Sequence, residues 1–394
     1  MRFLTFLILI SLTVVHKNYG QNKSTQNLNL PELLISQDGK LVKNAKVWSE
    51  KRRSEIFHLF ENNMYGEVPT DFDSINFDVV NESKMAMNGK ALLKEIRIDV
   101  FRNGQSITIN VVLFVPTQTK VPAPAFLLIN HRDKENTDPT RGVKMDFWPA
   151  EEVITRGYAV AAFYVGDVAA DNKETYHQQV LRLYPEQMQR SNGMKTIGAW
   201  GWGASRVMDY FEEDPDIDFS KVAVIGHSRG GKAALWCGAQ DERFALTISN
   251  DSGCTGAALA RRKSGERIAD INKNFPHWFC DNYNSFNGKE DDLPVDQHML
   301  IALIAPRAVY VASASDDEHA DPKGEFLSMK YAEPIFALFD IDPLPVNEQP
   351  QINSPAKSLN LGYHLREGGH GLELYDWQRY MDFADAYFAV KKVR

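Results

Sequence analysis

The chain has 394 residues, 43% of them hydrophobic, and a formal net charge of −8 from 44 basic and 52 acidic side chains. That length and composition suffice for a sizeable core and exclude a disordered chain, a collagen-like repeat and a disulfide mini-protein. No basic stripe interleaves with aromatics, which argues against nucleic acid as a partner.

Arg2 followed by the apolar run Phe3 to Val15 reads as the charged and hydrophobic parts of a secretory signal, with Gly20 before the cleavage point. The run is too short to span a bilayer, which takes about 20 residues. Residues 1–20 are therefore expected to be removed. Losing Arg2 and Lys17 takes the charge from −8 to −10. The mature protein is expected to be secreted or periplasmic, monomeric, and free of the membrane.

Residues 21–45 read as a linker, and residues 46–394 as one domain. Val47 to Tyr65 carries a helical pattern that stops at Gly66 and Pro69. Leu92 to Phe101 and Ser106 to Val115 are rich in Ile and Val, and Asn103-Gly104 between them signals a hairpin. Short apolar runs follow at Ala125 to Ile129, Tyr158 to Val165, Val222 to Ile225, Ala245 to Ser249 and Ala308 to Ala314. A last strand at Asn360 to Leu365 and a closing helix at Leu372 to Val390 bring the expected strands to eight. Buried strands alternating with helices predict an α/β fold: a mostly parallel central sheet with helices on both faces, a three-layer sandwich. Residues 257–296 are expected to lie as an insertion over the sheet's edge, their aromatics packing rather than holding a cofactor.

Cys237, Cys254 and Cys280 are an odd count in an exported chain and show no metal-ligand spacing. They are expected to be small buried residues with at most one bridge, the pairing of Cys254 with Cys280 being open.

The richest local signal is Gly226-His227-Ser228-Arg229-Gly230, a Gly-x-Ser-x-Gly set between a β run and a helical pattern. Glycines two before and two after Ser228 permit a sharp turn that exposes its hydroxyl and aims helix-start N–H groups at a developing oxyanion. The same stretch nearly spells a phosphate loop through Gly231-Lys232, but Ala233 stands where Ser or Thr should hold magnesium. A serine nucleophile needs a base and an orienting acid later in the chain. His370, in Arg366-Glu-Gly-Gly-His370-Gly after the last strand, fits the base; His131, His177, His277 and His298 lack that context and read as surface or packing. Asp251 and Asp317, each following a strand, compete for the acid, with Asp317 preferred. The cluster Asp316, Asp317, His319 and Asp321 lacks a second ligand group spaced to complete a metal site, so no metal is expected.

With these motifs the chain resembles the glucuronoyl esterases of carbohydrate esterase family 15, in particular their bacterial branch. The matching blocks are Gly-His-Ser-Arg-Gly-Gly-Lys at 226–232, Ser-Asn-Asp-Ser-Gly-Cys at 249–254, Arg-Arg-Lys-Ser-Gly-Glu at 261–266, Phe-Pro-His-Trp-Phe-Cys at 275–280, Ala-Asp-Pro-Lys-Gly-Glu-Phe at 320–326 and Gly-Gly-His at 368–370. The resemblance implies an α/β-hydrolase, without metal or organic cofactor, that cleaves esters between xylan glucuronic acid and lignin alcohols. It implies Ser228 as nucleophile, His370 as base, Arg229 as an oxyanion donor through backbone and guanidinium, and Lys232 and Glu266 as contacts to the uronate hydroxyls. Two positions depart from the family: Asp251 where many members carry Glu, and His319 where many carry a stacking Trp. The alternatives are an acetyl-xylan or other carbohydrate esterase, and a carbohydrate-binding protein on a hydrolase scaffold.

Overall fold

The computed structural model describes residues 28–119 and 122–390; the expected signal segment lies outside the described residues. All eight expected strands form. They are joined by two more in one sheet of order β1-β2-β3-β5-β4-β6-β7-β8-β10-β9. The strands are β1 (Ser74–Met85), β2 (Ala91–Arg102), β3 (Gln105–Pro116), β4 (Ala123–Asn130), β5 (Ala159–Tyr164), β6 (Ile217–His227), β7 (Leu246–Asn250), β8 (Ala308–Ala314), β9 (Ala356–Lys357) and β10 (Leu361–Arg366). From β5 through β10 neighbouring strands run parallel; β1 to β3 form an antiparallel wing and β9 closes the other edge antiparallel. The eight-strand count fell short because β1 is an edge strand whose apolar alternation is confined to Ile75, Phe77 and Val79 before a polar run, and because β9 has two residues. Asn103 (φ 51°) and Gly104 (φ 72°) make the left-handed turn expected between β2 and β3.

Side chains alternate between two cores. Ala125, Leu127, Val222, Val224, Val309 and Val311 face one, under the helices Arg53–Phe60, Thr196–Glu213, Arg229–Gln240, Gln297–Ala302 and Pro322–Ala337. Phe126, Leu128, Ala223, Ile225, Tyr310 and Ala312 face the other, under Ala150–Thr155 and Leu374–Val390. Each parallel strand is therefore apolar on both faces, which is why it reads as a continuous hydrophobic run. Among the described residues no helix is long and apolar enough to cross a membrane.

One expectation is corrected, and one left open is filled in. The described part of the 21–45 stretch is docked rather than a linker: Leu33 and Val42 are buried, and Arg52 donates to the carbonyls of Glu32 (2.8 Å) and Leu33 (3.3 Å). Its sparse leucines anchor it although the surrounding residues are polar. All three cysteines are buried, as expected, but free, so no bridge joins Cys254 to Cys280.

The ends of the 257–296 insertion are clasped by Asp296, whose carboxylate accepts the N–H groups of Ala260 (2.8 Å) and Arg261 (3.2 Å). Between these ends it carries residues to the carboxyl edge of the sheet, where the chain leaves β4, β5, β6, β7, β8 and β10.

Candidate active site

Ser228 stands between β6 and the Arg229–Gln240 helix at φ 54°, ψ −125°, a conformation sterically unfavourable for a residue with a Cβ. The turn is over-determined. The Ser228 N–H donates to Asn250 O (2.8 Å), and Ser228 O accepts from Gly231 N (2.9 Å). A Cβ on Gly226 would lie 2.0 Å from Gly230 O, and one on Gly230 would approach Ile129 O to 3.1 Å and His131 Nδ1 to 3.2 Å. Backbone packing thus requires glycine at 226 and leaves a side chain at 230 little room. Ser228 is half-buried, and among the described residues its hydroxyl makes no hydrogen bond. Hydrogen bonds to a nucleophile often tighten only when substrate is bound.

His370 lies beside this turn, its ring 4.5 Å from that of His227. Its Nδ1 is 2.6 Å from Asp317 Oδ2, while the ring remains 45% exposed toward the site. Burial pushes the Asp317 carboxyl up, but the hydrogen bond and charge of His370 and the N–H of Ala320 outweigh it and hold it below its ordinary value. The glycine-rich turn that carries His370 wraps around buried Arg366, which donates to the carbonyls of Glu367 (3.0 Å), Gly369 (2.7 Å) and Gly371 (2.9 Å).

Asp251 reaches the same place by another route. It has φ 42° and is 1% exposed; its Oδ2 accepts from Gly371 N at 3.4 Å and lies 3.5 Å from Arg366 Nη2, while Oδ1 is buried without a partner. Burial first, then the charges of Glu325 and Asp376, raises its carboxyl well above the ordinary value. Asp251, Asp317 and His370 have ligand atoms within 4.8 Å of one another, but the hydrogen bond to the imidazole comes from Asp317. Asp321, one of the acids in the sequence cluster around His319, is instead paired with Arg262 (2.8 Å) and caps the Pro322–Ala337 helix.

Arg229 does not stand free. Its Nη1 donates to Asp171 at 2.5 Å, its guanidinium lies 4.9 Å from the ring of Trp278 and 5.2 Å from that of Phe275, and its Nε is buried without a partner. Asp171 also accepts from Trp278 Nε1 (2.7 Å) and pairs with His277 Nε2 (2.9 Å). Burial opposes ionisation of Asp171, but these three donors hold its carboxyl far below the ordinary value. His277, expected to be surface or packing, instead holds the acid that holds Arg229, and half-buried His131 packs beside the serine turn. Burial, then the charge of Arg229, lowers His131 to about 3 and keeps it neutral. His298, bonded to Pro31 O at 3.2 Å, does serve packing.

Lys232, 3% exposed, donates Nζ to Ser252 O (2.8 Å) and Cys254 O, with Glu266 Oε2 3.6 Å away. Glu266 Oε1 in turn lies 3.7 Å from Nε2 of His319, whose side chain is 74% exposed. The two loops touch through backbone: Glu266 N donates to His319 O (2.9 Å), and Gly265, at φ 64°, passes so near that a Cβ would lie 2.3 Å from that oxygen. Asp171, His277, Trp278 and Arg366 were not found from the sequence. The one available signal was the arginine before a run of glycines, whose bare carbonyls need donors.

A family model described as glucuronyl esterase, fungi, matches residues 98–340. A carbohydrate esterase from an unknown prokaryotic organism is 41% identical over 389 residues, covering 90% of this chain and 89% of its own. The 4-O-methyl-glucuronoyl methylesterase of Schizophyllum commune is 27% identical over 324 residues, 80% of this chain and 75% of its own. Among solved structures, a glucuronoyl esterase from Solibacter usitatus matches with a TM-score of 0.86 at 36% identity, covering 93% of this chain and 100% of its own. A promiscuous family 15 esterase from a marine bacterial metagenome matches with a TM-score of 0.83 at 40% identity, covering 92% and 98%. This agreement in sequence and fold places the chain in the glucuronoyl esterase family, carbohydrate esterase family 15, as a carboxylic ester hydrolase of α/β-hydrolase fold.

Proposed function

We propose that the enzyme hydrolyses esters of glucuronic acid, plain or 4-O-methylated, such as those joining xylan to lignin alcohols, through a glucuronoyl-Ser228 intermediate. His370 takes the Ser228 proton as the oxygen attacks the ester carbonyl. The N–H groups at the start of the Arg229–Gln240 helix and the Arg229 guanidinium receive the oxyanion. Collapse expels the alcohol, which takes the proton from His370; water, deprotonated by His370, then releases glucuronic acid and restores the serine. Asp317 holds the imidazole with its proton on Nδ1. No metal or cofactor enters the reaction.

The observation that carries this reading is the 2.6 Å contact of His370 Nδ1 with Asp317 beside a serine held at φ 54°. The preference for a sugar acid rests on Arg229, Lys232 and Glu266. These charged groups suit a carboxyl ester ringed by hydroxyls and would serve no purpose for a small acetyl group. The names of the relatives favour the same substrate class. Export to the periplasm or beyond and a monomeric state belong to the same proposal, and membership in an enzyme family removes the case for a purely carbohydrate-binding protein.

The test compares turnover of benzyl glucuronate with release of acetate from acetylated xylan, for the native enzyme and Ser228→Ala. Glucuronate turnover should dominate and fall by about 10⁴-fold or more in the variant. Acetate release alone, or glucuronate turnover that survives without the serine, overturns the proposal.

A further inference from the structure

Glu325 is fully buried in the first turn of the Pro322–Ala337 helix, forms no ion pair among the described residues and has no part in the reaction above. Its Oε1 accepts from Gly253 N (2.9 Å) and Ser252 Oγ (3.2 Å), and its Oε2 from Ser313 Oγ (2.6 Å). Ser252 Oγ also accepts from Ala257 N at 2.8 Å, which leaves its proton for the carboxylate. The segment so held is unusual: Asp251, Gly253 and Thr255 all have positive φ, at 42°, 62° and 62°. Positive φ at Asp251 and Thr255 is unfavourable unless neighbours impose it. The carbonyls of Ser252 and Cys254 in this segment are the acceptors that hold Lys232 Nζ.

We infer that Glu325 is a positioning residue for sugar recognition: by pinning Ser252 and Gly253 it sets the carbonyl pair that aims the remaining N–H of Lys232 toward Glu266 and the substrate. The inference rests on the proposed role of Lys232. The two carboxylate oxygens have separate tasks. Oε1 holds the loop, whereas Oε2 meets a chain of hydroxyls, Ser313 Oγ to Tyr363 Oη (3.0 Å) to Pro322 O (3.0 Å), whose protons can reverse direction. A glutamine amide, or a protonated carboxyl, fits that chain as a donor without disturbing Oε1. Burial raises this carboxyl to about 7, consistent with a site that accommodates both forms.

Steady-state kinetics on benzyl glucuronate test the inference with Glu325→Gln, Glu325→Met, Lys232→Met and the double methionine variant. Glu325→Met leaves buried donors without a charged acceptor and should raise KM at least about tenfold. kcat should stay within about threefold. Glu325→Gln should restore a near-native KM, and the double variant should match Lys232→Met alone. Parallel loss of kcat and KM, a glutamine variant as impaired as the methionine one, or additive effects in the double variant would each overturn the inference. A native KM in Lys232→Met would instead show that the reading of Lys232 was wrong, and the inference with it. If Glu325→Met does not fold, Ser252→Ala, which removes one of the two donors to Oε1, is read by the same criteria.

Discussion

The loops that follow β7 and β8 each bring an aspartate to the same histidine and treat it in opposite ways. Asp317 sits in a short turn where His370 and a backbone N–H favour its charge, so it is an anion across the physiological range. Asp251 lies a few ångströms away but is fixed at φ 42°, desolvated, and crowded by Glu325 and Asp376, so its neutral form is favoured. Proximity to the imidazole does not decide which carboxylate orients it; solvation and hydrogen bonding do.

The sharpest way to break this comparison is to remove each charge in turn. Asp317→Asn should cost about 10³–10⁴ in kcat, because an amide no longer fixes the imidazole tautomer. Asp251→Asn should cost less than about tenfold, since it replaces an already proton-favouring group. Equal effects in single-turnover assays would mean that the two acids share the role. Between these extremes falls Arg229→Ala, expected to lower kcat by about 10²–10³ with little change in KM. A change confined to KM would reassign Arg229 to ground-state binding.

The smallest effect is on stability. Asp251 and Glu325 both bind protons more tightly in the folded state than in the unfolded one, so their contribution is full below the ordinary carboxylate range and is lost as pH rises. For Glu325 the window runs from its ordinary value of 4.5 to about 7 and corresponds to a loss on the order of 3 kcal/mol. Asp317, held below its ordinary value, works in the other direction and loses its contribution as pH falls through its depressed pKa. Thermal unfolding should therefore show Tm declining between about pH 5 and pH 7.5, with the decline flattened in Glu325→Gln and in Asp251→Asn. A slope unchanged in both variants would mean that neither acid is desolvated in solution.

Ser228, His370 and the competition between two aspartates were legible because each is announced by a local pattern: a strand end, a glycine pair, a turn. Strands β4 to β8 were legible for a similar reason, being apolar on both faces. What escaped depends on contacts between segments far apart in the chain. Asp171 and Trp278 are 107 positions apart and meet only because the 257–296 insertion folds over the edge of the sheet. No periodicity marks such a meeting. Strand β1 escaped for another reason: only Ile75 and Phe77 among its apolar side chains are partly buried, and its place comes mainly from backbone pairing to β2.

The close passage of Gly265 against the carbonyl of His319 bears on how this rim can change. The two loops are joined by the main-chain bond from Glu266 to His319 O and by the Arg262–Asp321 pair, while the solvent-exposed imidazole at 319 adds only a 3.7 Å approach to Glu266. The side chain at 319 is therefore a free variable on a rigid frame. Aromatic, polar or charged groups can be exchanged there to suit different sugar decorations or alcohols, while Glu266 and Lys232 behind it keep their places.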